Sequence, residues 1–239
     1  MTQTTGGPAL RGVVMGAHEW RDVTFLHWRY DAADIQRLLP HGLTVETRDG
    51  SAWVGLVLLR MRVGPPLTRL IRPAIRVLEA NLRTYVTGPD GEAGVYFLSI
   101  DCDRWSVCTG GRAVGVRYLP ARQHMSREQS EVHYWGARYG GRASYDIAVD
   151  VGDPMTPGDV EDWLTARFAV YGALGPALVR VPATHAAWPL RTATLQHADE
   201  TLLAAAGLQA PVTPPLVHFS RGVTDVVLGL PTVFTPSGG

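Results

Sequence analysis

The 239-residue sequence contains no lysine, and its 22 basic residues are all arginine. A guanidinium stays protonated and is not a usable amine nucleophile, so catalysis through a lysine Schiff base is excluded. The net charge is zero, which argues against nonspecific nucleic-acid binding, because such binding needs a basic surface. No stretch approaches the ~20 apolar residues of a membrane span, and the N-terminus lacks a secretory signal pattern. We therefore expect a cytoplasmic protein that binds neither nucleic acid nor membrane.

Cysteine is scarce, and the common cofactor motifs are missing. Cys102 and Cys108 are the only cysteines; two reduced thiols are the expected state in a cytosolic protein, and a disulfide between them is the alternative. No His-x-x-x-His or Cys-x-x-Cys pair marks a zinc site, although ligands converging from separate strands stay open. The hydrolase elbow, the P-loop and the dinucleotide glycine motif are also absent. We expect no metal and no cofactor.

The most informative stretch that is present runs from residue 78 to residue 103. Residues 78–86 alternate between apolar side chains and a second set, Glu79, Asn81, Arg83 and Tyr85. A period of two predicts a strand with two chemically different faces. A Gly-Pro-Asp-Gly turn and a second β-rich arm follow, so the unit is typical of a β-hairpin. Its polar face is suited either to a ligand or to solvent.

The remaining chain predicts further short strands joined by tight turns, with a few helices. Predicted strands cover residues 23–30, 43–46, 51–63, 117–124, 131–139, 142–151, 177–182, 185–196 and 216–230. Predicted helices follow Asp31, run from 105 to 116 with Asp103 as the cap, open at Thr156, and cover 198–206. The loop 64–73, with Arg69 and Arg72, is either a cover over a cavity mouth or a solvated connector. We expect a single domain over 9–234, with flexible tails at 1–8 and 235–239.

Several segments, taken in order, resemble the YqjF-like family of uncharacterised proteins, also called DUF2071. The matching segments are Glu79-x-Asn81-x-Arg83-Thr84-Tyr85-Val86, Gly94-Val95-Tyr96-Phe97, Ser99-x-Asp101, His27-Trp28, Leu39-Pro40-x-Gly42-Leu43, Asp49-Gly50-x-Ala52-Trp53-Val54-Gly55, Tyr118-Leu119-Pro120, Trp188-Pro189-Leu190 and His218-Phe219-Ser220. The resemblance covers about residues 20–231. It implies a mainly β (α+β) fold of the acetoacetate decarboxylase-like type, which is a closed or nearly closed, mostly antiparallel barrel-like structure with a ligand cavity and a few peripheral helices.

The sequence departs from that family at its catalytic lysine. In acetoacetate decarboxylase a lysine forms a Schiff base with the ketone substrate, and residues 111–118 resemble the segment that leads to it. No lysine follows here. The resemblance therefore implies only the fold and the cavity, because the imine chemistry needs the missing lysine.

Nine residues are candidates for a site in such a cavity. The candidate catalytic residues are Glu79, Arg83, Tyr85 and His218, and the candidate substrate-binding residues are Asn81, Tyr96, Tyr118, His124 and Arg29. A buried glutamate suits proton transfer, an arginine suits a substrate carboxylate, and tyrosine hydroxyls suit a ketone or enolate oxygen. The histidines titrate near neutral pH. Each also has a purely structural explanation, because Glu79 and Arg83 can neutralise each other and tyrosines can end buried hydrogen-bond networks.

Three classes of function remain open from these residues. The first is a small-molecule enzyme that acts on a carbonyl or carboxylate compound by non-covalent acid-base chemistry, as a decarboxylase, dehydratase, isomerase or cyclase. The second is a non-catalytic protein that binds a small molecule on the same fold, and the third is a structural domain whose cavity is filled by its own side chains. The expected partner in the first two is a small molecule with a carboxylate or carbonyl group. Assembly as a homo-oligomer is compatible with each.

Overall fold

The computed structural model describes residues 6–7, 14–64 and 75–235. Of the predicted loop 64–73, only Gly64 is described, and most of both predicted tails also lie outside the described residues. The strands are β1 (Val14–Tyr30), β2 (Thr44–Val45), β3 (Ala52–Gly64), β4 (Ile75–Thr87), β5 (Ala93–Cys102), β6 (Tyr118–Glu128), β7 (Glu131–Arg138), β8 (Ser144–Pro154), β9 (Ala169–Leu174), β10 (Ala177–Thr184), β11 (Leu190–Glu200), β12 (Leu216–Gly229) and β13 (Thr232–Phe234). The helices are α1 (Ala32–Gln36), α2 (Trp105–Ala113), α3 (Asp159–Thr165) and α4 (Leu202–Ala205).

The described strands form one sheet that closes on itself twice. Pairing of β4 with β5 closes a ring of nine strands, β5-β6-β7-β8-β11-β12-β1-β3-β4. Pairing of β10 with β12 closes a second ring of seven strands, β10-β9-β5-β4-β3-β1-β12. Strand β5 runs parallel to β6 and β9, whereas the other paired strands are antiparallel. The predicted closed, mainly β fold with few helices is confirmed.

The two rings share one wall, made of β12, β1, β3, β4 and β5, and the two faces of that wall carry separate cores. Leu26, Leu56 and Leu82 pack on one face with residues of β7 and β8, which belong only to the nine-stranded ring. Phe25 and Val57, one position away along the same strands, pack on the opposite face. Because side chains alternate along a strand, each core draws on every second residue of the shared wall.

Some local predictions agree with the structure and others do not. Asp31 caps α1 as predicted, and its carboxylate accepts a hydrogen bond of 2.7 Å from the backbone N–H of Ala33. Asp103 does not cap α2; its carboxylate accepts from the backbone N–H of Leu78 instead.

Near the C-terminus the element boundaries differ from the predicted ones. Helix α3 begins at Asp159, after the predicted opening at Thr156, because the Glu161 carboxylate binds the backbone N–H of Gly158 and caps the helix there. Strand β9 was not predicted. The predicted helix 198–206 is shorter in the structure, since β11 runs on to Glu200. None of the described helices has the length and apolar character needed to cross a bilayer.

Candidate functional site

The polar face of β4 points into the protein. Glu79 and Asn81 are only 7% and 5% exposed, Tyr85 is fully buried and Arg83 is half-buried. They lie on the wall face that carries Phe25 and Val57, because Val57 pairs directly with Asn81. Of the two interpretations of this strand, a solvated face is therefore excluded.

The Glu79 carboxylate is held by two hydrogen bonds. The Tyr118 hydroxyl donates to Oε2 at 3.1 Å, and the Asn81 side-chain amide donates to Oε1 at 3.1 Å. Burial raises the pKa of Glu79 to about 7, against the opposing effect of these two hydrogen bonds and of the Arg83 charge. Burial and the nearby Glu79 raise the pKa of Tyr118 well above its usual range, so that its hydroxyl remains a donor.

Two buried thiols lie near Glu79, at its end of the β4 face. Cys102 pairs with Glu79 across β5 and β4, and Cys108 of α2 lies beside it in the same apolar core. Both cysteines are free, and burial raises the pKa of each, so they are neutral at physiological pH. They contribute apolar surface that withholds water from Glu79.

Arg83 lies farther along the face, with its charge only partly satisfied. Its Nη2 donates to the carbonyl oxygen of Leu164 at 3.5 Å, and its guanidinium carbon lies 6.0 Å and 5.9 Å from the ring centres of Phe25 and Tyr85. Within the described ranges no carboxylate forms an ion pair with Arg83, so its neutralisation by Glu79 is not observed as a direct contact. The guanidinium is left with hydrogen-bonding capacity for a ligand.

His27 joins this face from β1 and was not among the predicted site residues. Its Nε2 lies 2.8 Å from the Tyr85 hydroxyl, across Gly55 on the intervening strand. A Cβ atom at Gly55 would lie 2.8 Å from Cδ2 of His27, so the contact requires glycine there. Burial, with Arg83 and His218 adding to it, lowers the pKa of His27 well below its usual range, and the ring is neutral.

Helix α3 and the residues after it cover the Tyr85 end of the face. The Trp163 ring lies 4.9 Å from Tyr85, and the Arg167 guanidinium lies 4.4 Å from Trp163 while pairing with Glu46 at 2.5 Å. Trp188 packs edge-on against the Phe25 core ring at 5.3 Å. These aromatic groups exclude bulk water from the Tyr85 end, which strengthens electrostatic interactions there.

His218 stands at the border between this face and α3. It is buried on β12, and its Nε2 lies 3.7 Å from Oε1 of Glu161. Burial lowers the pKa of His218, and the Glu161 carboxylate opposes that effect. His218 is thus a neutral imidazole beside the Glu161 carboxylate.

Three predicted residues are not brought to the site. Tyr96 pairs with Thr84 and faces the opposite side of the sheet from Glu79. His124 is exposed on β6. Arg29 is exposed, with its guanidinium 4.4 Å from the Trp53 ring centre and a longer ion pair to Asp49.

Some buried polar atoms of the β4 face and of the adjoining His27 have no hydrogen-bond partner within the described ranges. Of the six buried side-chain atoms that have no hydrogen-bond partner among the described residues, three belong to this face: His27 Nδ1, Asn81 Oδ1 and Arg83 Nε. A buried polar atom left unpaired costs about 1–3 kcal/mol, so this face has hydrogen-bonding capacity that the described residues do not use. In the part of the chain that the structure describes, no group of three or more histidine, cysteine and acidic residues could hold a metal. The arrangement offers one titrating acid, one cation and several hydroxyl, amide and imidazole groups.

The doubly closed sheet defines the acetoacetate decarboxylase-like class of fold. The enduracididine biosynthesis enzyme MppR, solved with pyruvate, superposes with a TM-score of 0.67 at 15% identity, over 95% of this chain and 93% of its own. Acetoacetate decarboxylase from Legionella pneumophila superposes with a TM-score of 0.63 at 18% identity, over 96% of this chain and 92% of its own. At these identities the likeness establishes the fold.

Sequence comparison then gives the family. DUF2071, described as an uncharacterized conserved protein, matches residues 17–224, and the chain belongs to this family. The uncharacterized protein YqjF of Bacillus subtilis strain 168 is 29% identical over 221 residues, which cover 88% of this chain and 89% of that protein. The resemblance inferred from the motifs is confirmed.

Proposed function

We propose that this protein is an enzyme that acts on a small carbonyl or carboxylate compound by acid-base chemistry, without a covalent intermediate. The observation that carries the proposal is the Glu79 carboxyl group, buried with a pKa of about 7 beside unpartnered polar atoms. Perturbed titrating groups in sheltered sites are typical of catalytic centres. The reactions within reach are decarboxylation, dehydration, isomerisation and cyclisation, so the enzyme would be a lyase or an isomerase.

Glu79 is the proton-transfer group in this proposal. Near neutral pH both its protonated and its ionised form are populated, which is the condition for efficient general acid-base catalysis. As a carboxylate it takes a proton from the carbon next to a carbonyl, and the released electron pair moves onto the carbonyl oxygen. As a carboxylic acid it returns a proton to carbon in the reverse step.

Arg83 and the hydroxyl groups would position the substrate. The free Nε of Arg83 and the rest of its guanidinium suit a two-point contact with a carboxylate. The Tyr118 hydroxyl, now donating to Glu79, is neutral and can turn to the developing oxyanion. His27 offers its unpartnered Nδ1 from the Tyr85 side of the face.

Arg83 and Glu79, at different points along the face, together support one class of substrate. An arginine for a carboxylate and an acid for an adjacent carbon favour a 2-oxo acid, and MppR was solved with pyruvate, which is one. Lysine is absent, so such a substrate would be enolised directly rather than through an imine. A cytoplasmic location and a homo-oligomeric state stay predictions from the sequence.

Deuterium exchange tests this proposal. Short 2-oxo acids and other small carboxylates are first ranked by the thermal shift they cause, and exchange of the hydrogens next to the carbonyl with D₂O is then followed by NMR. We expect wild-type protein to accelerate exchange. Glu79→Gln should bind the same compound and lose the acceleration, since it keeps the shape and removes the titrating proton. Glu131→Gln, at an exposed position on β7, is the matched control and should behave as wild type.

Arg83→Lys separates binding from chemistry in the same assay. It keeps the charge and loses the two-point contact, so binding should weaken by ~1–3 kcal/mol. Binding without any exchange in the wild type would favour the non-catalytic ligand-binding alternative. Unchanged affinity in Arg83→Lys would place the carboxylate elsewhere and contradict the proposed pose.

A further inference from the structure

A charged cleft lies outside the Glu79 site. It has a volume of about 630 Å³ and is bordered by β1, β3 and β4, by residues 103–104 after β5, and by single residues of β6 and β12. Its lining includes seven arginines and three acidic residues. None of the groups that touch the Glu79 carboxylate or the Arg83 guanidinium lines it. The cleft is therefore a separate feature of the fold.

The acidic residues organise the arginines and leave a positive excess. Asp22, with its side chain only 6% exposed, pairs with Arg60 at 2.5 Å and with Arg127 at 2.8 Å. Glu19 pairs with Arg21 at 2.5 Å and lies 3.8 Å from Arg62. Seven arginines less three carboxylates leave an excess of four positive charges in the lining. An anchored set of this kind is held in place before any ligand arrives.

Two further arginines of the lining have no acidic partner among the described residues. Arg76 and Arg221 form no ion pair with any residue that the structure describes, and both are exposed. Arg76 also stands directly opposite Arg62 in the antiparallel pairing of β3 with β4. Like charges directly opposite each other destabilise a sheet, so an anion that contacts both guanidinium groups would relieve their repulsion.

We propose that this cleft binds a small molecule that carries two or more phosphate charges. Phosphate groups carry about −1.5 to −2 charges each and accept paired hydrogen bonds from arginine, which matches an excess of four. The volume lies in the range of small-molecule sites, roughly 300–1,000 Å³. Met61, Val77 and Leu78 add an apolar strip that can contact the organic part of such a ligand. This site does not depend on the function proposed for Glu79.

Calorimetric titration with inorganic pyrophosphate and tripolyphosphate tests the proposal. Near physiological salt we expect saturable binding of one molecule per chain, tighter for tripolyphosphate. Arg62→Gln and Arg76→Gln should each weaken it roughly three- to tenfold, because exposed charge contacts are partly screened. Both side chains are exposed, so the variants should fold. Arg37→Gln, which removes an exposed arginine of the α1 C-terminus paired with Asp34, is the matched control and should bind as wild type.

Further titrations separate phosphate recognition from general attraction of anions. Citrate, a tricarboxylate, should bind at least tenfold more weakly than tripolyphosphate; equal affinity would overturn the assignment to phosphate. Absence of saturable binding, or equal weakening in Arg37→Gln, would overturn the site itself. Affinity for single-stranded oligonucleotides that grows with their length, or tighter binding to anionic lipid vesicles than to tripolyphosphate, would replace the small-molecule proposal with a macromolecular partner.

Discussion

Glu79→Gln should gain stability relative to wild type as the pH rises from 4.5 to about 8. Burial raises the pKa of Glu79 from 4.5 to about 7 in the folded protein. Between these values the folded state holds a proton that the unfolded chain has released. The free energy of unfolding of the wild type therefore falls with rising pH across this window, and the fall is complete above the folded pKa.

The expected size of this effect follows from the pKa difference. A separation of ~2.5 pKa units, at 1.36 kcal/mol per unit, corresponds to about 3 kcal/mol lost by the wild type at pH 8. The side chain is buried, so solvent screening does not reduce this figure much. Glutamine has no proton to release and is free of the penalty. The free energy of unfolding of Glu79→Gln minus that of wild type should therefore rise by about 3 kcal/mol from pH 4.5 to 8.

Urea denaturation of both proteins at half-unit steps of pH measures this difference. Asp101 also has a pKa raised by burial, to about 6, and several buried histidines have lowered pKa values. Their contributions are common to both proteins and cancel in the subtraction. A difference that stays flat between pH 4.5 and 8 would refute the burial of an ionisable Glu79 and, with it, the proton-transfer role.

Three further substitutions test individual contacts by urea denaturation. Gly55→Ala should cost about 1–3 kcal/mol by overpacking against His27, and a variant as stable as wild type would show that the ring can move away. Tyr118→Phe removes a hydrogen bond to the charged form of Glu79, so the pKa of Glu79 should rise and the fall in the free energy of unfolding should continue above pH 7. A fall that ends at a lower pH than in the wild type would contradict the contact. In Asp22→Asn, asparagine tolerates the positive φ of 46° but cannot form the ion pairs with two arginines. The free energy of unfolding should fall by about 1 kcal/mol. No change would show that solvent screens those ion pairs.

Much of the local structure could be predicted because its causes lie close together in the chain. The alternation over residues 78–86 predicts β4 and assigns Glu79 and Arg83 to one face, and the structure agrees. The Asp31 cap depends on contacts two residues apart and was predicted correctly. Strand β9 is only 6 residues long, follows α3 closely and has no turn signal before it, and it was missed. The start of α3 was misplaced because Glu161, rather than Thr156, provides the cap.

The candidate site was predictable only in part. Glu79, Asn81, Arg83 and Tyr85 share a face by alternation alone, but His27 reaches Tyr85 across 58 residues of chain, and only because Gly55 leaves room. No spacing in the sequence predicts that contact. The sequence also does not show that Tyr96, which belongs to the next matching segment, faces the other side of the sheet.

The sequence by itself determined the family, the strand-rich fold class, the composition of the β4 face and the exclusion of lysine chemistry. Only the tertiary structure decided that the sheet closes twice and that α3 covers the Tyr85 end of the β4 face. The physical reason is that pKa values and unsatisfied hydrogen bonds depend on what surrounds a group in space. Glu79 has an ordinary carboxyl group in the unfolded chain; its pKa of about 7 comes from the loss of water on folding, which strands far apart in sequence bring about together.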